Sequence, residues 1–116
     1  MPKYLLMVLS LTVIITTAYL TLLVNSNSPK VASRSEIDIA INQALYFYRQ
    51  EKERGKDFTS GPCLSNALMP NWVLDIVHSP RQPVDDLIQN QCPAFLEERT
   101  QHFVELDTEG NFVRAR

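Results

Sequence analysis

No acidic residue occurs before Glu36, no cysteine has another within four residues, and no second segment matches the apolarity of the first quarter of this 116-residue chain. Each absence excludes something. Cys63, His78, Cys92 and His102 follow one another at intervals of 15, 14 and 10 residues, without the close ligand pairs that preposition a zinc site. Residues 35–116 hold eight basic against 13 acidic side chains, the wrong balance for neutralising nucleic-acid phosphates. The length leaves no room for a two-domain enzyme or a multi-span transporter. Internal repeats and low-complexity tracts are lacking as well. With 45% hydrophobic and 21% charged residues, the composition is that of an ordinary folded domain.

What is present begins with Tyr4 to Val24, 21 residues without a charge, glycine or proline. As a helix this run spans about 31 Å, the thickness of a bilayer's hydrocarbon core. Its polar residues are Ser10, Thr12, Thr16, Thr17 and Thr21, whose hydroxyls can bond back to carbonyls one turn earlier. Tyr4 and Tyr19 lie toward the two interfaces, and Asn25-Ser26-Asn27-Ser28-Pro29 is expected to stop the helix. A cleaved signal peptide is the rival reading, with small residues spaced for cleavage after Ser26 or Ser33. The apolar run is longer than the 7–15 residues usual for a signal peptide's core. A buried core helix is disfavoured because no other segment is apolar enough to surround it. Flanking charge is nearly balanced, Lys3 and the α-amine against Lys30 and Arg34. The short head is expected in the cytoplasm and the remainder outside.

Residues 1–24 are therefore expected to form a transmembrane anchor, 25–34 a linker and 35–116 a small α+β domain. Ser33 and Glu36 have capping-box spacing. Ile37, Ala40, Ile41, Ala44, Leu45 and Tyr48 then recur at helical spacing, predicting a helix over 35–54 closed by Gly55. Residues 55–70 read as loop with a short helical turn at 64–69. The i, i+4 pairs Trp72/Ile76 and Val73/Val77 suggest a brief helix, and Pro80 to Asp86 an extended, proline-stiffened segment. Pro93 is placed to open a short helix through Arg99. His102–Leu106 and Phe112–Arg114, flanking Asp107-Thr108-Glu109-Gly110-Asn111, predict a C-terminal β-hairpin. A lone hairpin is marginal, so it should pack on the long helix or on Trp72. Cys63 and Cys92 are expected to form a disulfide if the domain lies outside the cytoplasm.

The residue types offer few chemical constellations. His78 with Asp85 or Asp86, or with Asp75 three residues before it, would suit acid–base hydrolysis, although solvated loop acids explain these residues as well. Glu105, Asp107, Glu109 and Gly110 mimic half a calcium loop, but Arg116 falls where the bidentate acid belongs. The prolines around Arg81 and Gln82 would present Arg81, Gln82, Asp85 and Asp86 to a protein partner at low entropic cost. Alternatively, Arg81 pairs with Asp85 or Asp86 and the segment covers the core. Trp72 reads as a core residue. No cofactor, metal or small-molecule ligand is implied.

Gly61-Pro62-Cys63-Leu64-Ser65, Asn71-Trp72-Val73, Pro80 to Asp86, Asn90-Gln91-Cys92 and His102 to Asp107 together resemble a group of small uncharacterised proteins that also begin with a membrane segment. The resemblance covers roughly the C-terminal half. It implies membrane association and brings no activity, cofactor or catalytic residue. The expectation is a single-pass, membrane-anchored protein with a structural or interaction role at the cell envelope. An envelope hydrolase and a secreted protein are the alternatives.

Overall fold

The computed structural model describes residues 2–27 and 31–116, and of residues 24–27 the backbone alone. The chain divides into two units, 1–30 and 31–116. In the first, helix α1 runs over Lys3–Asn27. Its backbone continues past Asn25, where the polar run was expected to stop it, and residues 28–30 of the expected linker lie outside the described residues. The threonines behave as expected. Thr12 donates to Leu9 O at 2.8 Å, Thr16 to Thr12 O at 2.9 Å, Thr17 to Val13 O at 2.8 Å and Thr21 to Thr17 O at 2.9 Å.

The second unit is α+β. Helix α2 spans Arg34–Glu53, and the Ser33 hydroxyl accepts from Glu36 N at 3.2 Å, as the capping pattern predicts. The Glu36 carboxylate does not close the reciprocal half of the box. It accepts from Trp72 Nε1 at 3.0 Å, because a buried indole N–H needs an acceptor. Gly55 follows the helix at φ 82°.

Four strands form one sheet in the order β1-β2-β3-β4, with β1 at Cys63–Met69, β2 at Trp72–Val77, β3 at His102–Asp107 and β4 at Phe112–Ala115. The β3–β4 hairpin is present where expected. Strands β1 and β2 correct the helical turn expected at 64–69 and the helix expected around Asn71–His78. The reason is a degeneracy of spacing. Residues four apart share a face in a strand as well as in a helix, and a strand buried on both sides reads as a continuous apolar run. Pro70 and Asn71 turn β1 into β2, with Asn71 at φ 70°.

Pairing is antiparallel for β1–β2 and β3–β4 but parallel for β2–β3. Residues 78–101 therefore cross over between β2 and β3. Trp72, Leu74 and Ile76 of β2 and Val104 and Leu106 of β3 pack with Ala40, Ala44 and Tyr48 of α2 on one face. Val73 and Phe103 face the other way, against Cys92 and Ala94 of the crossover. Within the crossover, Pro83–Asp86 is a 3-10 turn where an extended segment was expected, since Pro83 sits well at a first helical position. Helix α3 covers Pro93–Leu96 and stops short of Arg99, with Glu98 at φ 58°. The Cys63–Cys92 disulfide, spanning 29 residues, ties the crossover to β1.

At the opposite end Tyr48 stacks on Phe58, with centroids 4.5 Å apart, and its hydroxyl donates to Thr108 O at 2.8 Å. Gly110, at φ 88°, lies so close beneath the Tyr48 ring that any side chain would strike it. Gly110→Ala is expected to cost about 2 kcal/mol in urea unfolding, from strained backbone and the displaced ring. Replacing both cysteines by serine is expected to lower stability by about 3–4 kcal/mol, the loop-closure term for a bridge of this span. Unfolding of wild type with and without reductant measures the same quantity.

Candidate functional site

Strand register brings four chemically distinct side chains into one line. Cys63 on β1 is opposite Asp75 on β2, Asp75 is opposite Glu105 on β3, and Glu105 is opposite Arg114 on β4. Opposed residues share a face, so the whole row lies beneath the crossover. Above it is a cavity of about 110 Å³ lined by Asp75, Glu105, Arg81, Arg114, Gln91, Cys92 and the apolar side chains Val73, Phe95, Leu96 and Phe103. Phe95 meets the Phe103 ring edge-on at 5.3 Å, and the Arg114 guanidinium lies 5.1 Å over the Phe103 centroid.

Glu105 is buried, and its charge is balanced. Arg114 Nε and Nη2 approach Oε1 at 2.9 and 2.7 Å, and Arg81 Nη1 approaches Oε2 at 3.4 Å. Arg81 also holds the exposed Asp86 at 2.9 Å. Asp75 is the exception in the row. Its Oδ1 is buried and has no hydrogen-bond partner among the described residues. Burial, and next the adjacent Glu105 carboxylate, push the Asp75 carboxyl up to about 8, with the Ile76 backbone N–H and then Arg81 offsetting only part of the rise. Asp75 is thus mostly protonated at pH 7, a neutral carboxylic acid facing a cavity.

The residues singled out from the sequence fall into separate arrangements. His78 Nδ1 is 2.9 Å from Asp85 Oδ1, and Asp85 Oδ2 accepts from His78 N at 3.0 Å and Gln82 N at 2.8 Å. Burial alone would raise the Asp85 carboxyl. The Gln82 N–H and the two His78 groups outweigh it and hold the carboxyl below its ordinary value. Asp85 therefore pins the start of the crossover and is buried. Asp86 turns away to Arg81, and His78, Asp85 and Asp86 do not line the cavity above Asp75. Arg81 and Gln82 are exposed. The His102 ring lies tilted against Trp72, with centroids 4.9 Å apart, on the α2 face. Asp107 accepts from Glu109 N and Asn111 N at 2.9 and 2.8 Å and shapes the hairpin turn.

Reasoning from the sequence missed the cavity. Asp75 is a lone acid inside the apolar run Val73–Val77, and Glu105 one inside His102–Leu106. Two interrupted strands were the available signal, and it became legible only with the register. No family model, curated protein or solved structure matches the chain.

The pH consequence has a definite sign. Folded Asp75 keeps its proton up to about pH 8, whereas the unfolded chain releases it near 3.8. The unfolded state binds fewer protons in between, so this group's contribution to stability falls as pH rises from about 4 to 8 and is level above. Asp75→Asn is expected to raise the Tm, by the equivalent of a few kcal/mol at pH 8.5. The gain should shrink toward zero at pH 4. Thermal melts of both proteins across that range check it.

Proposed function

We propose that this is a single-pass membrane protein whose first helix stays in the bilayer as a signal anchor. The 31–116 unit then stands outside the cytoplasm, at the cell envelope, in a structural or interaction role. The observation that carries this reading is the state of α1. The span Lys3–Leu23 is 21 residues long, with mean hydropathy 2.2 and no part buried. Its apolar side chains, from Tyr4 to Leu23, are presented outward. Such a surface is costly in water and favourable in hydrocarbon. The threonine hydroxyls support the reading further, since each spends its proton on a helix carbonyl. The second unit meanwhile closes its own core from residues beyond position 31.

The disulfide favours the same address for residues 31–116, because such bridges persist in oxidising compartments and are reduced in the cytosol. Binding suits the domain better than catalysis. His78 and Asp85 are committed to fastening the crossover, and no hydroxyl or thiol is hydrogen-bonded to His78 among the described residues.

Alkaline washing of cell membranes tests the anchor. The full-length 13.3 kDa chain is expected to remain in the pellet, with both cysteines inert to alkylation until reductant is added. Release into the supernatant would sink the anchor reading. A mature N-terminus at Asn27 or Arg34 would establish the secreted alternative instead. Reporter fusions at the C-terminus, expected to be active only outside the cytoplasm, fix the orientation.

A further inference from the structure

We propose that the cavity beneath the crossover binds a primary ammonium group on a short apolar stem, with Asp75 as its counter-ion and Phe95, Phe103 and Leu96 as the wall for the stem. The site is complete within residues 31–116 and is the same on either side of a membrane. Asp75 is faced by Glu105 from β3 and by Arg81 and Asp85 from the crossover, while Arg114 of β4 reaches Glu105. Strand β1 supplies only Cys63, locked in its disulfide. Asp85 is bonded to His78. The cavity is lined by two carboxyls, Asp75 and Glu105, and by the guanidiniums of Arg81 and Arg114, of which Arg81 is shared with the exposed Asp86. A proton on Asp75 relieves the repulsion between it and Glu105, and a ligand cation would do the same.

The competing ligand classes fit less well. A carboxylate or phosphate would meet guanidiniums that already face Glu105 and Asp86. A metal ion would find no group of three ligating side chains among the described residues. A cavity of about 110 Å³ admits a handful of non-hydrogen atoms, which suits a side-chain tip or a small amine. An entering ammonium would donate to the Asp75 carboxylate where it lines the cavity, and Asp75 would release its proton to solvent as the ion pair forms. Ligand positive charge replaces the proton, so the net charge of the site is conserved.

The chemistry is shared by free alkylamines and by lysine side chains of a protein, and the test separates them. Isothermal titration calorimetry is run on the full-length chain in uncharged detergent, with n-butylammonium, N-acetyl-lysine amide, butyramide and butyrate as probes. Amine affinity is expected to rise about tenfold per pH unit from 6 to about 8 and level off above, with one proton released per site, read from the buffer dependence of the heat. Tighter binding of N-acetyl-lysine amide assigns the site to a protein's lysine, and tighter binding of n-butylammonium to a free amine. Asp75→Asn should lose at least tenfold in amine affinity. Leu96→Trp, which fills the mouth from a half-exposed position and leaves Asp75 in place, should lose as much. The proposal is overturned if neither amine binds at millimolar concentration at pH 8, if both variants bind like wild type, or if butyramide or butyrate binds as well as the amines.

Discussion

Parallel pairing of β2 with β3 is the constraint from which the rest of the 31–116 unit follows. Two antiparallel strands can be joined by a tight turn, but two parallel strands need a connection that returns along the full length of the sheet. Residues 78–101 make that return, and in doing so they cover the sheet face that α2 leaves open. A cover of this kind has little regular structure of its own and must be braced within itself and fastened to what lies beneath it. Both kinds of link are spread along its length. Asp85 holds the backbone of His78 and Gln82, Asn90 Nδ2 donates to Val84 O at 2.9 Å, the disulfide joins Cys92 to β1, and Asn66 Oδ1 accepts from Ala94 N at 3.0 Å. Asn71 completes the set, receiving Gln101 N on its side chain at 2.8 Å where the chain re-enters the sheet.

The same pairing decides where charge is buried. Parallel register sets Asp75 beside Glu105, so two carboxyls share one face of adjacent strands. Like charges at that spacing are unfavourable, and burial raises the penalty further. The protein resolves the conflict asymmetrically. Glu105 stays with two arginines, one brought by the β3–β4 hairpin and one by the crossover, while Asp75 has no cation of its own. The result is a protonated acid next to a carboxylate, its proton held first by burial and then by the neighbour's charge.

Local signals were legible in the sequence and non-local ones were not. Helix α2 was readable because its apolar stripe, its Ser33 cap and Gly55 agree with one another, and the β3–β4 hairpin because Gly110 closes a short turn between alternating segments. The disulfide followed from having only two cysteines and an inferred address. Strand β2 is not legible in this way, since Trp72, Val73, Ile76 and Val77 satisfy helical and strand spacing together. Its partner β3 lies across a 24-residue crossover, which local spacing cannot reveal. The site was lost with the strand. In sequence Asp75 stands near His78, while in the fold its neighbours are Glu105 and Cys63, brought in by pairing, and Arg81 of the crossover. Glu36 shows the same competition on a smaller scale, since a capping partner in sequence became the acceptor for Trp72 in space.

Asp75 is finally distinguished by having no structural duty to explain its cost. The two buried acids of the unit each hold something in place. Asp85 anchors the crossover, and Glu105 joins β4 and the crossover to the sheet through Arg114 and Arg81. Removing either would leave backbone donors or guanidiniums unsatisfied. The buried oxygen of Asp75 joins nothing among the described residues, yet it sits at the floor of a cavity instead of in packed interior, where an apolar side chain of similar size would serve the sheet better. The cavity above Asp75 has aromatic walls and arginines already paired with Glu105 and Asp86, so the group it suits is a small cation.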